Sequence, residues 1–328
     1  MNDMQRFNLL GSSVQFQRAC AHIKKIAGVD ATVLIAGETG TGKEMAARAI
    51  HYLGKRCDKP FIPVNCGALA ETLLESELFG HERGAFTDAK SASPGLVSEA
   101  DGGTLFLDEV DALSLKAQAA LLRFLQDRTY RRVGSSVTRQ ADVRIIVASN
   151  ADLEKMVEAR QFRRDLLYRL NVLMLRMPAL REREGDALEL AQAFLARFSR
   201  QYRVPQKSFH PVTLSFIGNY SWPGNVRELE NVVLREFLMC DDREIKLGAE
   251  AGTTTDVAVP DGYSSFKTAK ALAIAEFERR YVRDMLKRSE GNLSHAARLA
   301  GQDRSAFGKL ARKHGFSQAA LQLHESGD

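Results

Sequence analysis

The sequence has few cysteines, and their arrangement does not suit a metal site. Its 328 residues contain four cysteines, which are widely scattered, and no Cys-x-x-Cys pair occurs. We therefore expect neither a disulfide framework nor a structural zinc site, and this cysteine usage fits a reducing cytoplasm. The cysteines are Cys20, Cys57, Cys66 and Cys240.

Long apolar stretches are also missing. No apolar run approaches the roughly 20 residues that a membrane-spanning helix needs. Residues 1–6 lack the basic and apolar regions of a signal peptide, so we predict a cytoplasmic protein with no membrane partner. The net charge of +5 is mild, and its local excess near the C-terminus matters more than its total.

The sequence does contain a glycine-rich turn, which lies between a short apolar strand, 32–36, and a helix, 45–50. Glycines let backbone N–H groups close around phosphate oxygens, and the N-terminus of the helix adds partial positive charge. This context predicts a P-loop in which Lys43 carries the charge for the β- and γ-phosphates. The alternative is a glycine turn with a surface lysine. The turn comprises Gly37, Glu38, Thr39, Gly40, Thr41, Gly42, Lys43 and Glu44, and Glu44 stands where Ser or Thr usually offers a hydroxyl to Mg²⁺.

A later apolar strand, 103–107, ends in two carboxylates, Asp108 and Glu109. Ligands of open α/β sheets bind at this edge of the strands. We therefore expect Asp108 to hold Mg²⁺, through water, and Glu109 to orient or deprotonate the attacking water. Asn65 also ends a strand; it either hydrogen-bonds Glu109 or is an ordinary turn residue.

Short apolar runs alternate with helical segments, which predicts an α/β fold with a parallel sheet. We expect four strands, near Val33 and at 61–65, 103–107 and 143–148. The predicted domains are an α/β ATPase subdomain at 8–172, a small lid at 173–240 that is helical throughout, a linker at 241–265, and an all-α C-terminal domain at 266–328.

The C-terminal domain contains two helical stretches, 293–300 and 304–314, around a glycine-containing turn. This arrangement predicts a helix-turn-helix whose second helix is capped by Asp303 or Ser305. Residues 291–316 hold five Lys or Arg against one acid, which fits contacts with a phosphate backbone. A helical bundle with a basic solvated face is the alternative. The DNA-contact candidates are Arg304, Ser305, Lys309, Arg312 and Lys313.

Several motifs together resemble one family. The chain is similar to bacterial enhancer-binding proteins, the AAA+ activators of sigma-54 RNA polymerase. The resemblance covers 8 to about 240 and resumes at 266–316, which resembles a Fis-type DNA-binding domain. It rests on the P-loop 37–44, in which this family also has Glu at the last position, and on the segments 75–87, 103–109, 162–170 and 222–229.

The resemblance implies an AAA+ P-loop ATPase that binds ATP and Mg²⁺ between the subunits of a homo-oligomeric ring, for which we expect a hexamer. Arg163 and Arg169 would then be arginine fingers that reach the γ-phosphate in the neighbouring subunit, a role that suits a planar cation. A solvated helix face that includes Arg164 is the alternative.

Within the subunit, the resemblance implies three sensors of nucleotide. Arg227 of the lid would contact the nucleotide directly. Asn150, with Ser149, would be the polar sensor at the end of the fourth strand. Asn65 would be the switch partner of Glu109 and would link the γ-phosphate to the loop that meets sigma-54.

That loop is 84–89, in which Phe86 and Thr87 would contact sigma-54 while a second loop, 131–140, supports it. In this family hydrolysis moves the loop and remodels the closed promoter complex. Asp88 stands where the family has Gly; it removes backbone freedom and adds negative charge.

The leading hypothesis is an ATP-driven activator that binds double-stranded enhancer DNA and opens sigma-54 promoters. Asp88 favours a second hypothesis, a DNA-binding regulator that uses ATP poorly or acts independently of sigma-54. A different AAA+ machine, such as a helicase or unfoldase, is the third. The ATPase motifs begin near Met1, where most family members carry a sensory or phosphoacceptor domain. We expect a regulatory protein in trans first; control by abundance and a truncated chain are the alternatives.

Overall fold

The computed structural model describes residues 3–68, 71–86, 89–246, 278, 281–283, 285–286, 289, 292–301, 303–313 and 316. They belong to two compact units, Met1–Ala251 and Gly252–Asp328. Thr87 and Asp88 lie outside the described residues, and so does most of the predicted linker.

A five-stranded parallel sheet forms the centre of the first unit, and it confirms the predicted α/β class. Its strand order is β2-β3-β6-β1-β7. The four predicted strands are all present. Their sequences are apolar runs because both faces of the sheet are covered. The strands of this unit are β1 (Val33–Ala36), β2 (Phe61–Asn65), β3 (Thr104–Asp108), the short antiparallel pair β4 (Thr129–Tyr130) and β5 (Arg139–Gln140), β6 (Arg144–Ser149), β7 (Leu173–Arg176), β8 (Ser208–Phe209) and β9 (Glu244–Ile245).

Helices cover both faces of this sheet. Successive strand residues point to opposite faces, so Leu34 packs in one core cluster while Val33 and Ile35 pack in the other. The helices are α1 (Val14–Ala27), α2 (Lys43–Tyr52), α3 (Glu71–Phe79), α4 (Leu96–Glu99), α5 (Leu115–Asp127), α6 (Leu153–Glu158) and α7 (Arg164–Leu170), with 3₁₀ helices at Asp3–Phe7, Cys66–Ala68, Val110–Ala112 and Leu180–Glu182.

The prediction that 173–240 is helical throughout is wrong at two places. Leu173–Arg176 forms β7, in which Leu175 is buried while Met174 is exposed. This alternation belongs to an edge strand, and over four residues it is too short to separate from the helical pattern that follows. Ser208–Phe209 is also a strand, and it pairs with Glu244–Ile245. The start of the predicted linker therefore belongs to the lid.

The rest of the lid is a small helical layer with its own core. Its helices are α8 (Asp186–Tyr202), α9 (Pro211–Asn219) and α10 (Asn225–Met239). Trp222 is almost fully buried in the core, and its indole N–H donates to the Ile217 carbonyl oxygen at 3.0 Å. The buried tryptophan fixes the loop that leads into α10.

In the second unit, the described residues form α11 (Leu293–Leu299) and α12 (Arg304–Lys313). Both helices were predicted, and Asp303 rather than Ser305 caps the second, because its carboxylate accepts from the Ser305 and Ala306 amides at 2.9 Å. Phe307, a residue of α12, is fully buried. Across the described residues of both units, no helix has the length and apolar character that a membrane crossing requires.

Candidate active site

A cavity of about 590 Å³ is bounded by the P-loop, the carboxyl edge of the sheet and the lid. It brings together residues that are far apart in the chain and that the sequence analysis assigned to one site. Those in its lining are Thr39, Gly40, Thr41, Gly42, Lys43, Glu44, Asn65, Asp108, Glu109, Asn150 and Arg227.

The backbone of the P-loop depends on two glycines. Gly40 and Gly42 have φ of +79° and +93°, a region that side chains with a Cβ rarely adopt. A Cβ on Gly40 would also lie 2.3 Å from the Gly224 carbonyl oxygen in the lid. Glycine at position 40 therefore permits both the turn and the close approach of the lid.

The Lys43 ammonium lies against the carbonyl oxygens of its own loop. Nζ donates to Gly37 O at 2.7 Å and to Glu38 O at 3.1 Å. The Thr41 hydroxyl donates to the same Glu38 carbonyl oxygen at 2.8 Å. Burial lowers the pKa of Lys43, and the charge of Asp108 opposes that effect. The loop thus holds one partly buried cation at the place where phosphates would bind.

The two carboxylates at the end of β3 differ in their surroundings. Asp108 accepts a hydrogen bond from the Glu109 amide at 3.0 Å, and burial raises the pKa of its carboxyl group. Glu109 has a left-handed backbone, with φ of +55°. A Cβ on Gly67 would lie 2.3 Å from Glu109 Oε2, so this carboxylate occupies space that a larger residue would fill.

Asn65 lies beside Glu109 without bonding to it. The Asn65 side-chain oxygen accepts from the Ala68 amide at 3.0 Å, and no direct hydrogen bond joins these two described side chains. A Cβ on Gly67 would be 3.3 Å from that same oxygen, which places both side chains around one glycine. The hydrogen bond left open by the sequence is therefore not formed here, although the residues are neighbours.

Of the two polar residues at the end of β6, the Asn150 side chain contacts the P-loop and the Ser149 side chain does not. The Asn150 side-chain amide donates to the Thr39 hydroxyl at 3.1 Å. Ser149 is buried instead, and its hydroxyl lies 2.7 Å from Asp111 Oδ1. Asn150 is thus the member of the predicted pair that lies at the site.

Few side chains at this edge could ligate a magnesium ion, since the described residues contain no cluster of three or more His, Cys, Asp or Glu that could hold a metal. Glu44 is paired with Arg48 one turn along α2 at 2.8 Å, so its carboxylate is already engaged. Asp108 is half-buried near Glu109, and both acids concentrate negative charge that a divalent cation would offset. Carboxylate oxygens are the ligands that Mg²⁺ prefers, and Mg²⁺ is often held by one or two carboxylates together with phosphate oxygens, so Asp108 stays the candidate ligand.

Asn225 at the start of α10 was not singled out by the sequence. It is fully buried in a left-handed conformation, with φ of +54°. Its amide nitrogen donates to Thr39 O at 3.0 Å and to Glu38 Oε2 at 3.1 Å, while its oxygen accepts from the Leu180 amide at 2.7 Å. The only signal in the sequence was its position inside the motif 222–229, because the burial of this polar side chain appears only in the structure.

Two further contacts join the lid to the P-loop. The Val226 amide donates to Gly40 O at 3.0 Å. Arg181 pairs with Glu38 through both guanidinium branches, one of them at 2.7 Å, and this hydrogen bonding lowers the pKa of Glu38 to about 2. The P-loop is therefore held from the lid side by backbone and side-chain bonds together.

The two candidate arginine fingers do not line the cavity among the described residues. Arg163 is exposed and pairs with Asp165 at 2.7 Å, while its backbone amide donates to Gln118 Oε1 at 2.9 Å. Arg169 donates to the Leu125 carbonyl oxygen at 3.1 Å. Both lie at α7, outside the lining of this cavity.

Residues just before the predicted sigma-54 loop contact the second loop. The Glu82 amide donates to Val133 O at 3.0 Å, and Arg132 pairs with the Glu82 carboxylate at 3.3 Å. Phe86 is half-buried, and its ring centre lies 5.0 Å from that of His81. Phe86 is therefore held by a neighbouring ring at the base of the loop.

The five candidate DNA contacts are exposed on α12 or at its start, while Phe307 and Ala311 on the same helix are buried. Lys313 differs from the others because it pairs with Glu278 at 2.7 Å. The exposed candidates are Arg304, Ser305, Lys309, Arg312 and Lys313.

Comparison with known proteins identifies the family. The model of the sigma-54 interaction domain matches residues 9–176, and that of the AAA+ ATPase lid domain matches 181–249. The alginate biosynthesis transcriptional regulatory protein AlgB of Pseudomonas syringae is 45% identical over 291 residues, which are 89% of this chain and 64% of that protein. The transcriptional regulatory protein ZraR of Salmonella typhimurium is 42% identical over 313 residues, which are 94% of this chain and 69% of that protein.

A solved structure agrees with this result. NtrX from Brucella abortus in complex with ATP has a TM-score of 0.71 and 31% identity, and the match covers 94% of this chain and 69% of that one. The chain spans less than two thirds of the length of the AlgB relative, 64%. The matched domains and the identities above place this chain in the sigma-54 interaction family of AAA+ ATPases.

Proposed function

We propose that this protein hydrolyses ATP in a homo-oligomeric ring, a hexamer, and thereby opens promoters held by sigma-54 RNA polymerase. The observation that carries the proposal is that one cavity is lined by the P-loop, the carboxylates that end β3, and Arg227 of the lid. These are the groups that phosphoryl transfer requires: a phosphate cradle, acids for metal and water, and cations.

Each group has a distinct task in this proposal. The P-loop amides and Lys43 bind the phosphates, and Glu109 orients the attacking water. Asp108 would hold Mg²⁺, which neutralises phosphate charge when it is bound. Asn150 touches the P-loop through Thr39 and is placed to respond to the γ-phosphate. Arg227 contributes a further cation from the lid.

The ring is proposed because neither candidate arginine finger lines the cavity in the described part of the chain. Arg163 and Arg169 lie at α7, outside the lining of the cavity among the described residues. An arginine that acts on transferred phosphate must reach it directly. In the proposed ring, these arginines would reach the site of the neighbouring subunit.

A short stretch of chain connects the site to the loop proposed to contact sigma-54. Asn65 ends β2, and α3 (Glu71–Phe79) leads from there toward Phe86. Loss of the γ-phosphate would alter the surroundings of Glu109 and Asn65 and, through this segment, the loop. Phe86 and Thr87 are the proposed contacts with sigma-54.

The C-terminal helices are proposed to form a Fis-type helix-turn-helix that binds double-stranded enhancer DNA. Support comes from the exposed basic side chains of α12 and from the buried Phe307 that holds α12 against α11. Arg304 and Lys309 are the contacts we favour, because Lys313 is already paired with Glu278. A regulatory protein acting in trans remains a prediction.

The test is whether this protein forms a complex with sigma-54 in the presence of ADP and aluminium fluoride. Gel filtration detects the complex. We expect the wild type to form the complex, and Lys43→Ala to lose it together with ATP binding. Glu109→Gln should bind ATP without turnover. Phe86→Ala should keep ATPase activity and lose the complex, whereas Phe7→Ala, at a site remote from the loop in sequence, should keep both.

The main alternative is a DNA-binding regulator that acts independently of sigma-54, and Asp88 in the loop favours it. Full ATPase activity without any sigma-54 complex would reject the proposal and support this alternative. If Asp88 weakens the contact by its charge and its limited backbone freedom, Asp88→Gly should increase open-promoter formation at unchanged ATPase activity.

A further inference from the structure

The residues before α1 form a short segment between the two parts of the ATPase. We call residues 8–13 the N-terminal strap. Leu9 packs in the same core cluster as β1, whereas Leu10 packs against the core of the lid. Asn8, Leu9 and Leu10 also line the cavity. One short segment therefore contacts both subdomains and the candidate nucleotide site.

The strap lines the part of the cavity that suits the base of a nucleotide. Phosphates belong at the P-loop, where N–H groups and Lys43 are concentrated. The lining contributed by the strap and by α8 includes the apolar side chains of Leu9, Leu10, Leu190 and Phe194. Apolar side chains of this kind suit a flat purine ring. The base would therefore lie between the strap and the lid.

Asp186, the first residue of α8, fastens the strap to the lid. Its carboxylate has no exposed surface and accepts four hydrogen bonds, each of 2.8 Å. Three come from the strap, from the Ser12 amide, the Ser13 amide and the Ser13 hydroxyl, and one comes from Arg183 Nε. A buried carboxylate with this many donors is held in a single position.

Arg183 completes the attachment. It is 3% exposed, and its guanidinium donates to the Leu10 carbonyl oxygen in the strap. The guanidinium carbon lies 3.8 Å from the centre of the Phe16 ring on α1. This arginine therefore joins the lid, the strap and the first helix of the α/β subdomain.

Gly11 allows the strap to approach this buried pair. Its φ is +147°, and a Cβ at this position would lie 2.2 Å from Asp186 Oδ2 and 2.6 Å from Arg183 Nη2. Neither atom can move aside easily, because the Asp186 carboxylate and the Arg183 guanidinium are both buried and hydrogen-bonded. Any side chain at position 11 would push the strap and the lid apart.

We infer that Gly11, Ser13, Arg183 and Asp186 are positioning residues that set the base-binding wall of the cavity against the lid. The inference rests on the proposed ATP site and deepens it. Through this attachment, the strap follows the lid, so contact with the base is linked to lid position. The phosphates would bind at Lys43 and the P-loop, which contact the lid through other residues, Arg181, Asn225 and Val226.

The test compares a ligand that has a base with one that has none. Full-length protein is titrated calorimetrically with ATP and with inorganic tripolyphosphate, each in the presence of Mg²⁺. Gly11→Ala should raise the Kd for ATP about tenfold, and Ser13→Ala, which removes one hydrogen bond to Asp186, about threefold. Neither should change the Kd for tripolyphosphate.

Gly28→Ala is the matched control, because a Cβ there meets only the Lys25 carbonyl oxygen at an ordinary 3.6 Å. It should bind both ligands as the wild type does. Equal weakening of both ligands in Gly11→Ala and Ser13→Ala would show a general structural role and overturn the inference, as would unchanged ATP affinity in both. If the wild type binds tripolyphosphate, and binds ATP no more tightly, this inference alone would be overturned. A wild type that binds neither ligand would overturn the proposed function as well.

Discussion

The side-chain amide of Asn225 donates a 3.0 Å hydrogen bond to the backbone oxygen of Thr39, and so ties the first residue of α10 to the P-loop. The same amide reaches Glu38, which Arg181 also holds. Lid and P-loop therefore share a polar contact beside the proposed phosphate site. We therefore expect this contact to slow the dissociation of a nucleotide bound there.

Replacement of Asn225 by glycine should loosen that contact while it keeps the left-handed backbone at low cost. The loss leaves the Leu180 amide and the Thr39 oxygen without their partner, which should lower the free energy of unfolding by about 1–3 kcal/mol. We expect ADP labelled with a fluorescent methylanthraniloyl group to dissociate faster, as measured by stopped-flow fluorescence.

Asn219→Gly is the control for that measurement. Asn219 is exposed, and its amide donates only within α9, to Ser215 O at 2.8 Å. It should leave the dissociation rate unchanged. An Asn225→Gly variant with wild-type dissociation would show that the lid does not hold the nucleotide through this residue.

The contrast between Lys43 and Asn225 shows what the sequence can predict. Local sequence patterns predict the strand and helix ends at which Lys43, Asp108 and Asn150 lie. Their convergence follows, because such ends meet at one edge of a parallel sheet. Asn225 binds Thr39 across 186 positions of the chain, and Asp186 binds Ser13 across 173. No local period encodes partners at such separations, and only the packed lid reveals them.

Arg163→Ala should abolish turnover while ATP still binds. Arg163 is exposed and does not line the cavity of its own subunit, so the site should stay intact. Loss of an arginine finger reduces phosphoryl transfer by about 10³-fold or more. Mixing this variant with Lys43→Ala should restore part of the activity. The Arg163→Ala subunits supply an intact P-loop, and the Lys43→Ala subunits supply the arginine finger.

Arg164→Ala is the control, since Arg164 is an exposed arginine next to the candidate finger. It should keep wild-type turnover. Normal hydrolysis by Arg163→Ala would remove Arg163 from the mechanism, and an absence of restored activity in the mixture would argue against a finger supplied by a neighbour.

Gln118→Leu should resemble Arg163→Ala in its effect on turnover. Gln118 has no exposed surface; its oxygen accepts from the Arg163 amide at 2.9 Å, and its nitrogen donates to Leu113 O and Gln161 O. Leucine has a similar size but offers neither bond, so the start of α7 should shift. Steady-state ATPase assays should show lower kcat, whereas calorimetry should show unchanged ATP affinity. Equal loss of affinity would point to damage throughout the site.

His51 should make stability depend on pH. Burial lowers its pKa, and Nδ1 lies 2.9 Å from the Thr104 hydroxyl. The unfolded chain takes up this proton below about pH 6.5, while the folded protein resists it. The contribution of the neutral ring is therefore complete above about pH 6.5 and is lost as pH falls toward the lowered pKa, by at most about 1.4 kcal/mol for each pH unit.

Urea unfolding of the wild type and His51→Gln between pH 5.5 and 7.5 measures this effect. The difference between the two proteins should change with pH, since other titrating groups contribute equally to both. His22→Gln, at an exposed position, should follow the wild type. A constant difference between wild type and His51→Gln would show that His51 does not control the acid response.

Lys309→Ala should weaken DNA binding in a manner that depends on salt. Lys309 is exposed on α12, whereas Lys313 already pairs with Glu278 at 2.7 Å. If Lys309 contacts phosphate, its loss should reduce the slope of log K against log salt by about 1, because one fewer counterion is released. Fluorescence anisotropy with a duplex at several salt concentrations provides the measurement, and Lys55→Ala, an exposed lysine of the ATPase unit, is the control. Lys313→Ala should reduce the slope less than Lys309→Ala, because its charge is partly neutralised before DNA arrives. Equal slopes in all four proteins would place the DNA contacts elsewhere.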